Sequence, residues 1–396
     1  MATGRAAASA SPLEMRAVRA VRSAAPATVT ALGVFAAVRG GGALVLALGA
    51  WWAGRDPLRV LGRSWDADWY VRIAAHGYGR TLMWPDAATG TGPVQSDLAF
   101  FPLYPLLIRL VSAVLPGGAV PAALLIAWVS AAVAAVGIYR VGERVNGPRA
   151  GLLLVGLWAA LPHAVVLSLA YTEALLAAFA AWALYAVLCE RWLWAAGLAV
   201  LAGLTRPTAL AVAAAVSGMA LHAIVVRRSR APGVWPAVLL APAGWAAYVL
   251  AVGMKVGDPL GGYFGVQRGW GSRFDFGAGA LRSAQRVLTG GHVPLATTVT
   301  VILLAAAGLL AVLLVLDRTP LPLLVYTAVL LVITIGGAGF FESKPRFLLP
   351  AFPLLLPVAA VMARARPRTA VMVTAVVAGL GYGYGLYLLL VARVPL

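Results

Sequence analysis

The sequence predicts an all-α, polytopic integral membrane protein with a bundle of about eleven transmembrane helices, and three observations predict it. Apolar residues make up 62% of the 396-residue chain, against about 45–50% in soluble domains. Charged residues make up 11%, where about 25% is usual. Several apolar runs reach the roughly 20 residues needed to cross hydrocarbon. Such a chain has too little polar surface to coat a water-soluble particle. One cysteine, Cys189, excludes an internal disulfide framework. Aperiodic Gly and Pro exclude a collagen-like chain.

The elements follow in order. Residues 1–30 carry Arg5, Arg16, Arg19 and Arg22 against Glu14, which predicts a basic cytoplasmic tail by the positive-inside rule. A cleaved signal peptide is the rival, but the apolar stretch from Ala31 to Ala53, broken only by Arg39, is long enough to be a retained first span. Residues 31–396 then form one transmembrane domain. Its spans fall near 33–53, 119–139, 150–169, 171–189, 193–205, 207–226, 234–252, 295–316, 321–340, 347–362 and 369–391. With the N-terminus inside, the arginines of loops 140–149, 227–230 and 364–368 all lie on the cytoplasmic side. This clustering assigns the net charge of +18 to membrane topology rather than to nucleic-acid binding. Almost all basic residues are Arg and Ala is abundant, a pattern that fits a GC-rich bacterial coding bias.

The same count puts Asp56, Asp66, Asp68, Asp86, Asp97, Glu173, Asp258, Asp275 and Glu342 on the outer side, and Glu14, Glu143, Glu190 and Asp317 inside. Two long loops share the outer face, 54–118 and 253–294. Loops of that length are usually functional, so the working surface is expected to be extracytoplasmic. Within the first, Phe100 to Leu115 is read as an interfacial or re-entrant helix, because Pro102 and Pro105 disfavour a regular span. No internal repeat is visible, which argues against a transporter built from inverted halves.

The most informative segment is Ser64 to Gly79. Trp65, Trp69 and Ile73 recur at four-residue spacing, one stripe of a helix. Ser64 is placed to cap its start and Gly77 to end it. Lying flat at the interface, the helix would use Trp65 and Trp69 either as membrane anchors or as ligand contacts. Asp68 stands four residues before Arg72 and suits a surface pair. Asp66 points about 200° away from Asp68 at 3.6 residues per turn, with no base in reach on the helix. It is either a charge that supports the helix start or a general base. The string Asp66-Ala67-Asp68 has the form of a D-x-D metal motif, but on a helix the two carboxylates diverge and cannot share one ion.

Trp65 to Tyr78 (W-D-A-D-W-Y-x-x-I-A-x-x-G-Y) and Phe100 to Leu106 (F-F-P-L-Y-P-L) resemble the PIG-V family of the GT-C glycosyltransferase superfamily, typified by GPI mannosyltransferase 2. Tyr171 to Glu173, Leu204 to Pro207 and Lys344 to Pro353 fit in order, so the resemblance covers roughly residues 30–365. The late block is shared widely among GT-C enzymes. The resemblance implies a GT-C-type helix bundle, a polyprenyl-phosphate mannose donor and inverting transfer on the outer face of the cell membrane. It maps the family's first-loop acidic residue onto Asp66. Where the family often has His then Phe, this chain has Trp69 and Tyr70. A bacterial member would use an acceptor other than a GPI precursor: a glycolipid, a lipoglycan or a protein hydroxyl.

The chemistry needs a base, cations for the leaving phosphate and an apolar groove for the polyprenyl tail. Asp66 is assigned as base. Arg206, Lys344 and Arg346 are the candidates for the donor phosphate. Arg206 lies at a break between apolar pieces, where a basic residue either faces an anion or snorkels to headgroups. Lys344 and Arg346 lie in a short outer loop, where they either hold phosphate or pair with Glu342. Glu173 opens a span, and either serves the helix dipole or orients Arg206 or a sugar. Asp68, Trp69, Gln267 and Trp270 are further candidates for sugar or acceptor contact, Gln267 and Trp270 alternatively packing a loop core. His76, His163, His222 and His292 have no metal-ligand spacing, so no metal is assigned. No cofactor is expected beyond the lipid-linked donor, which is substrate. The absence of a Walker A string and of a dinucleotide fingerprint argues against a nucleotide-sugar domain and an ATP-driven pump. Two alternatives remain: transfer of a different lipid-linked sugar, and a flippase for such a lipid.

Overall fold

The computed structural model describes residues 12–83, 94–290 and 292–392; of the residues singled out above, Arg5 and Asp86 lie outside them. The elements are helical almost throughout: α1 (Pro12–Trp52), α2 (Pro57–Arg63), α3 (Asp66–His76), α4 (Leu103–Ser112), α5 (Ala119–Asn146), α6 (Pro148–Ala160), α7 (Glu173–Leu188), α8 (Trp192–Gly203), α9 (Leu210–Val225), α10 (Val234–Leu240), α11 (Ala243–Val256), α12 (Gly262–Gly269), α13 (Ala278–Leu288), α14 (Leu295–Leu316), α15 (Leu321–Gly336), α16 (Lys344–Phe347), α17 (Leu356–Arg364) and α18 (Pro367–Leu386). The expected tail is therefore helical from Pro12 and continuous with the first span.

Among the described residues, six helical stretches are long and apolar enough to cross a membrane, and a pair bent by 77°, Phe341–Phe347 with Phe352–Arg364, would make a seventh. By this measure the expected count of about eleven is not reached. The reason is length. Helices α6, α7, α8 and α15 hold 13, 16, 12 and 16 residues. At about 1.5 Å per residue, even the longest falls short of a hydrocarbon core of about 30 Å. Helix α4, with 10 residues, is likewise too short to span, as its prolines predict.

Three of the short helices end at a break. Helix α6 stops at Leu161-Pro162, α8 stops before Thr205-Arg206-Pro207, and α15 gives way to a short extended segment at Gly337. Irregular backbone at membrane depth needs partners from the protein, and here side chains supply them. Arg39, buried in the first span, donates to Ala159 O at 3.3 Å and Ser168 Oγ at 2.5 Å. Trp158 Nε1 donates to Leu349 O at 2.9 Å, and Tyr326 Oη to Pro350 O at 3.0 Å. Lys344 Nζ donates to Thr334 O at 2.6 Å and Ile335 O at 3.2 Å, and also to Gly337 O. A cation at the last carbonyls of a helix also meets the negative end of its dipole.

The loops sort into two ends. At one, Arg149 donates to Ala365 O at 2.5 Å and Arg227 pairs with Glu190 at 3.2 Å. At the other, the long connections fold over the breaks. Leu61 O accepts from Ala170 N, and Leu204 O from Leu103 N, both at 3.0 Å. Strand β1 (Thr81–Met83) pairs antiparallel with β2 (Val94–Ser96), Thr81 opposite Ser96. The second connection pairs β3 (Arg273–Phe274) with β4 (Gly337–Ala338), just before α16. Helix interfaces are close because small residues face each other: a Cβ on Gly244 of α11 would lie 2.0 Å from Val200 O of α8.

Candidate active site

Helix α3 starts one residue later than Ser64 would allow as its cap. Ser64 Oγ donates back to Val60 O at 2.6 Å, and the N-cap is Trp65, with φ 46° and no side-chain cap bond. A left-handed tryptophan is a strained junction, and it turns the chain so that Asp66 leads the helix. Gly77 ends α3 as expected, its N–H reaching Ile73 O at 2.8 Å.

The aromatic stripe of α3 faces protein. Trp69, Tyr70 and Ile73 are buried. Trp69 stacks on Phe100 at 5.6 Å and meets Trp270 edge-on at 5.1 Å. Of the two readings of Trp69, the membrane anchor is thereby corrected: Phe100 and Trp270, one from each long connection, cover its ring, while Trp65 is half-buried. Trp270 Nε1 donates to Ser96 O at 3.0 Å. Gln267 Nε2 donates to Tyr263 Oη at 2.7 Å and Ala99 O at 3.4 Å. Gln267 and Trp270 thus pack one connection against the other.

Asp66 is not unpartnered. Arg346 Nη2 lies 2.7 Å from its Oδ2, and Arg346 Nε lies 3.3 Å from Glu173 Oε1. The same Glu173 oxygen receives Arg206 Nη1 in a short ion pair. Four charges therefore form a chain, Asp66–Arg346–Glu173–Arg206, with zero formal sum. Glu173, Arg206 and Arg346 are buried, while the Asp66 side chain keeps 26% exposure. Both guanidiniums stand over the Phe347 ring, at 5.1 and 4.9 Å, and Arg346 also stands over Tyr171 at 5.1 Å. Tyr70 Oη shares a hydrogen bond with Thr172 Oγ1 at 3.3 Å. Burial pushes the Tyr70 phenol above its ordinary range, so it stays a neutral hydroxyl.

The chain assembles at the helix breaks. Asp66 and Glu173 begin α3 and α7, Arg206 sits in the turn after α8, and Arg346 comes from the four-residue α16. Lys344 is not part of it. Its ammonium is turned to the end of α15, so the expected Lys344–Arg346 clamp on one phosphate is not formed. Two residues apart on a helix is about 200°, which sends the two cations to opposite sides. Glu342 pairs with neither in the interactions seen; it accepts from Thr297 Oγ1 at 2.7 Å. Asp68 pairs with Arg72 at 2.5 Å as expected, and also with Arg63 at 3.0 Å and Arg80 at 3.8 Å. Among the described residues no group of three His, Cys, Asp or Glu is placed to hold a metal. Tyr171 and Phe347 were within the quoted motifs but carried no role there, because a ring that faces a guanidinium has no signature in spacing.

An apolar slot of about 180 Å³, lined by Leu161, Leu303, Leu310, Pro345, Leu348 and Leu355, lies between α14 and the bend after α16; Pro345, the chain neighbour of Arg346, lines it and Arg346 does not. A larger cavity, about 790 Å³, lies on the Asp68 side of α3.

No family model matches the chain, and no curated protein sequence matches it. Among solved structures, the apo crystal structure of the Archaeoglobus fulgidus oligosaccharyltransferase is similar over 91% of this chain, at 15% identity and a TM-score of 0.48. The chain covers 56% of that protein's length.

Proposed function

We propose that this chain is a membrane glycosyltransferase of the GT-C type. It moves a mannosyl residue from polyprenyl-phosphate mannose, with inversion, to a hydroxyl of an extracytoplasmic glycolipid, lipoglycan or protein. The observation that carries this reading is the ion chain Asp66–Arg346–Glu173–Arg206 beside an apolar slot. A lipid-phosphate donor has matching parts: an isoprenoid for the slot, an anion for the guanidiniums and a sugar between them and Asp66. The motif resemblance at Trp65 to Tyr78 supports the same assignment.

The charges suggest an order of events. At rest Arg346 is neutralised by Asp66 and Glu173. A donor phosphodiester brings one negative charge and competes with Asp66 for Arg346. Asp66 is then released as a carboxylate at the site of reaction. It accepts the proton of the acceptor hydroxyl as that oxygen bonds to the anomeric carbon. The bond from the anomeric carbon to the phosphate oxygen breaks on the opposite face, and polyprenyl phosphate leaves. Arg346 and Arg206 meet the negative charge growing on that phosphate, in a site where buried dipoles and charges act strongly. Glu173 holds both guanidiniums in place. The active face is extracytoplasmic in the cell membrane, with the N-terminus inside.

The test is a donor panel. The purified chain in nanodiscs, with extracted envelope material as acceptor, is offered polyprenyl-phosphate mannose, glucose or arabinose, and a nucleotide-linked mannose. Labelled mannose should enter the acceptor from the first donor alone, with release of polyprenyl phosphate. Transfer from the nucleotide sugar, or no sugar-dependent release of polyprenyl phosphate, overturns the proposal.

A further inference from the structure

The geometry points to a second binding site, on the reverse side of α3, for the phosphate-bearing headgroup of a lipid. It is the cavity of about 790 Å³ lined by Arg59, Arg63, Arg72 and Arg80, with Asp68 among them. It does not depend on the glycosyl-transfer reading, since neither Asp66 nor Arg346 lines it.

The argument starts from a surplus of positive charge. Arg63 of α2, Arg72 of α3 and Arg80 before β1 come from three separate segments to the two oxygens of Asp68, at 3.0, 2.5 and 3.8 Å. One carboxylate neutralises one of them. Arg59, one turn before Arg63 on α2, has no ion pair among the described residues. The cavity's other acid, Asp56, is tied by its Oδ1 to the Leu58 N–H at 3.0 Å as a helix cap. Four guanidiniums thus face two carboxylates.

Stability does not account for this convergence. The side chains of Arg63, Arg72 and Arg80 are 42%, 46% and 37% exposed, and such pairs contribute little, while the like charges repel. Yet the arginines are held. Arg80 lies 4.8 Å over the Trp69 ring, and the buried Asp97 carboxylate fixes its backbone N–H at 2.7 Å. An anion with several oxygens uses such a fork of guanidiniums. Asp68 is then the internal counter-ion that the ligand displaces.

The position selects a lipid. The cavity lining includes Val120 and Pro121, in the first turn of α5, and the exposed Leu58. Trp51 and Trp52, both exposed, end the α1 span alongside. Exposed tryptophans at a span end mark headgroup level. A phosphate in the cavity can have its chains leave over Leu58 into the bilayer.

The test is equilibrium binding to the full chain in neutral detergent, with three probes: dihexanoyl phosphatidic acid, inorganic phosphate and dihexanoyl glycerol. The phosphatidic acid should bind saturably and the phosphate-free lipid should not. Arg59→Gln, at an exposed position, should weaken binding about tenfold, in line with one charge-assisted hydrogen bond. Asp68→Asn should tighten it, which a purely structural Asp68 would not do. Inorganic phosphate that binds as tightly as the lipid assigns the site to free phosphate and overturns the lipid assignment. Equal binding of all probes, or no response to Arg59→Gln, overturns the site itself; if Asp68→Asn fails to fold, the Arg59→Gln result decides.

Discussion

Arg346 and Asp66, from opposite ends of the chain, meet in an ion pair of 2.7 Å at the start of α3. Asp66 begins an eleven-residue helix and Arg346 follows a proline in a four-residue one. Together they place a partly exposed carboxylate and a buried guanidinium at the open end of a set of broken helices. The arrangement can release either charge only if a new anion or cation enters, and that makes it testable residue by residue.

Asp66→Asn keeps the volume and removes the base. Transfer of labelled mannose should fall by about 10²-fold or more, the scale of lost general-base catalysis, while polyprenyl phosphate should bind at least as tightly as to the parent, because the carboxylate no longer competes for Arg346. A variant with activity near the parent's removes Asp66 from the proton transfer.

Lys344 and Arg346 should separate cleanly. Lys344→Met frees the carbonyls at the end of α15 and should lower the thermal midpoint without raising the KM for donor in the folded fraction. Arg346→Lys keeps the charge and loses the fork that reaches both Asp66 and Glu173, so it should raise donor KM. The reverse outcome would assign the phosphate to Lys344.

Glu173 lies between two buried guanidiniums, so Glu173→Gln should destabilise by about 3–5 kcal/mol, the cost of leaving buried charge uncompensated. Pairing Glu173→Leu with Arg206→Met should cost less than the sum of the single changes. A double-mutant cycle read by thermal unfolding in detergent checks this. Additive costs would mean that the two side chains do not interact.

Gly244→Ala tests the helix interface. Its Cβ would lie 2.0 Å from Val200 O, a backbone atom that cannot swing away, whereas a Cβ on Gly308 of α14 meets nothing within 4 Å. Alanine is otherwise the better helix former by about 1 kcal/mol. Gly308→Ala should therefore hold or raise the thermal midpoint, and Gly244→Ala should lower it. Equal effects would show that α8 and α11 are not in close contact.

Much of the architecture is legible in the chain itself. Apolar runs mark the long helices because hydrocarbon demands them. Prolines at 102 and 105 limit α4, Gly77 stops α3, and the Thr205-Arg206-Pro207 string marks a break that the helices respect. The members of the ion chain, Asp66, Glu173, Arg206 and Arg346, could each be singled out by an unusual charge in an apolar setting, as could Lys344, which is not part of that chain. The linkage of the four was not legible, because an ion pair between distant segments leaves no periodicity in either one.

Sequence alone determined where the long apolar helices run and which charges are out of place, since both follow from local hydrophobicity; the helices inside the second long connection, α12 and α13, it left as loop. Tertiary structure decided how long the short helices are, which way Trp69 points, and that Lys344 serves backbone carbonyls while Arg346 serves Asp66. Those outcomes rest on satisfying buried polar groups through space. The partners come from wherever the fold happens to bring a donor, and no local pattern encodes that.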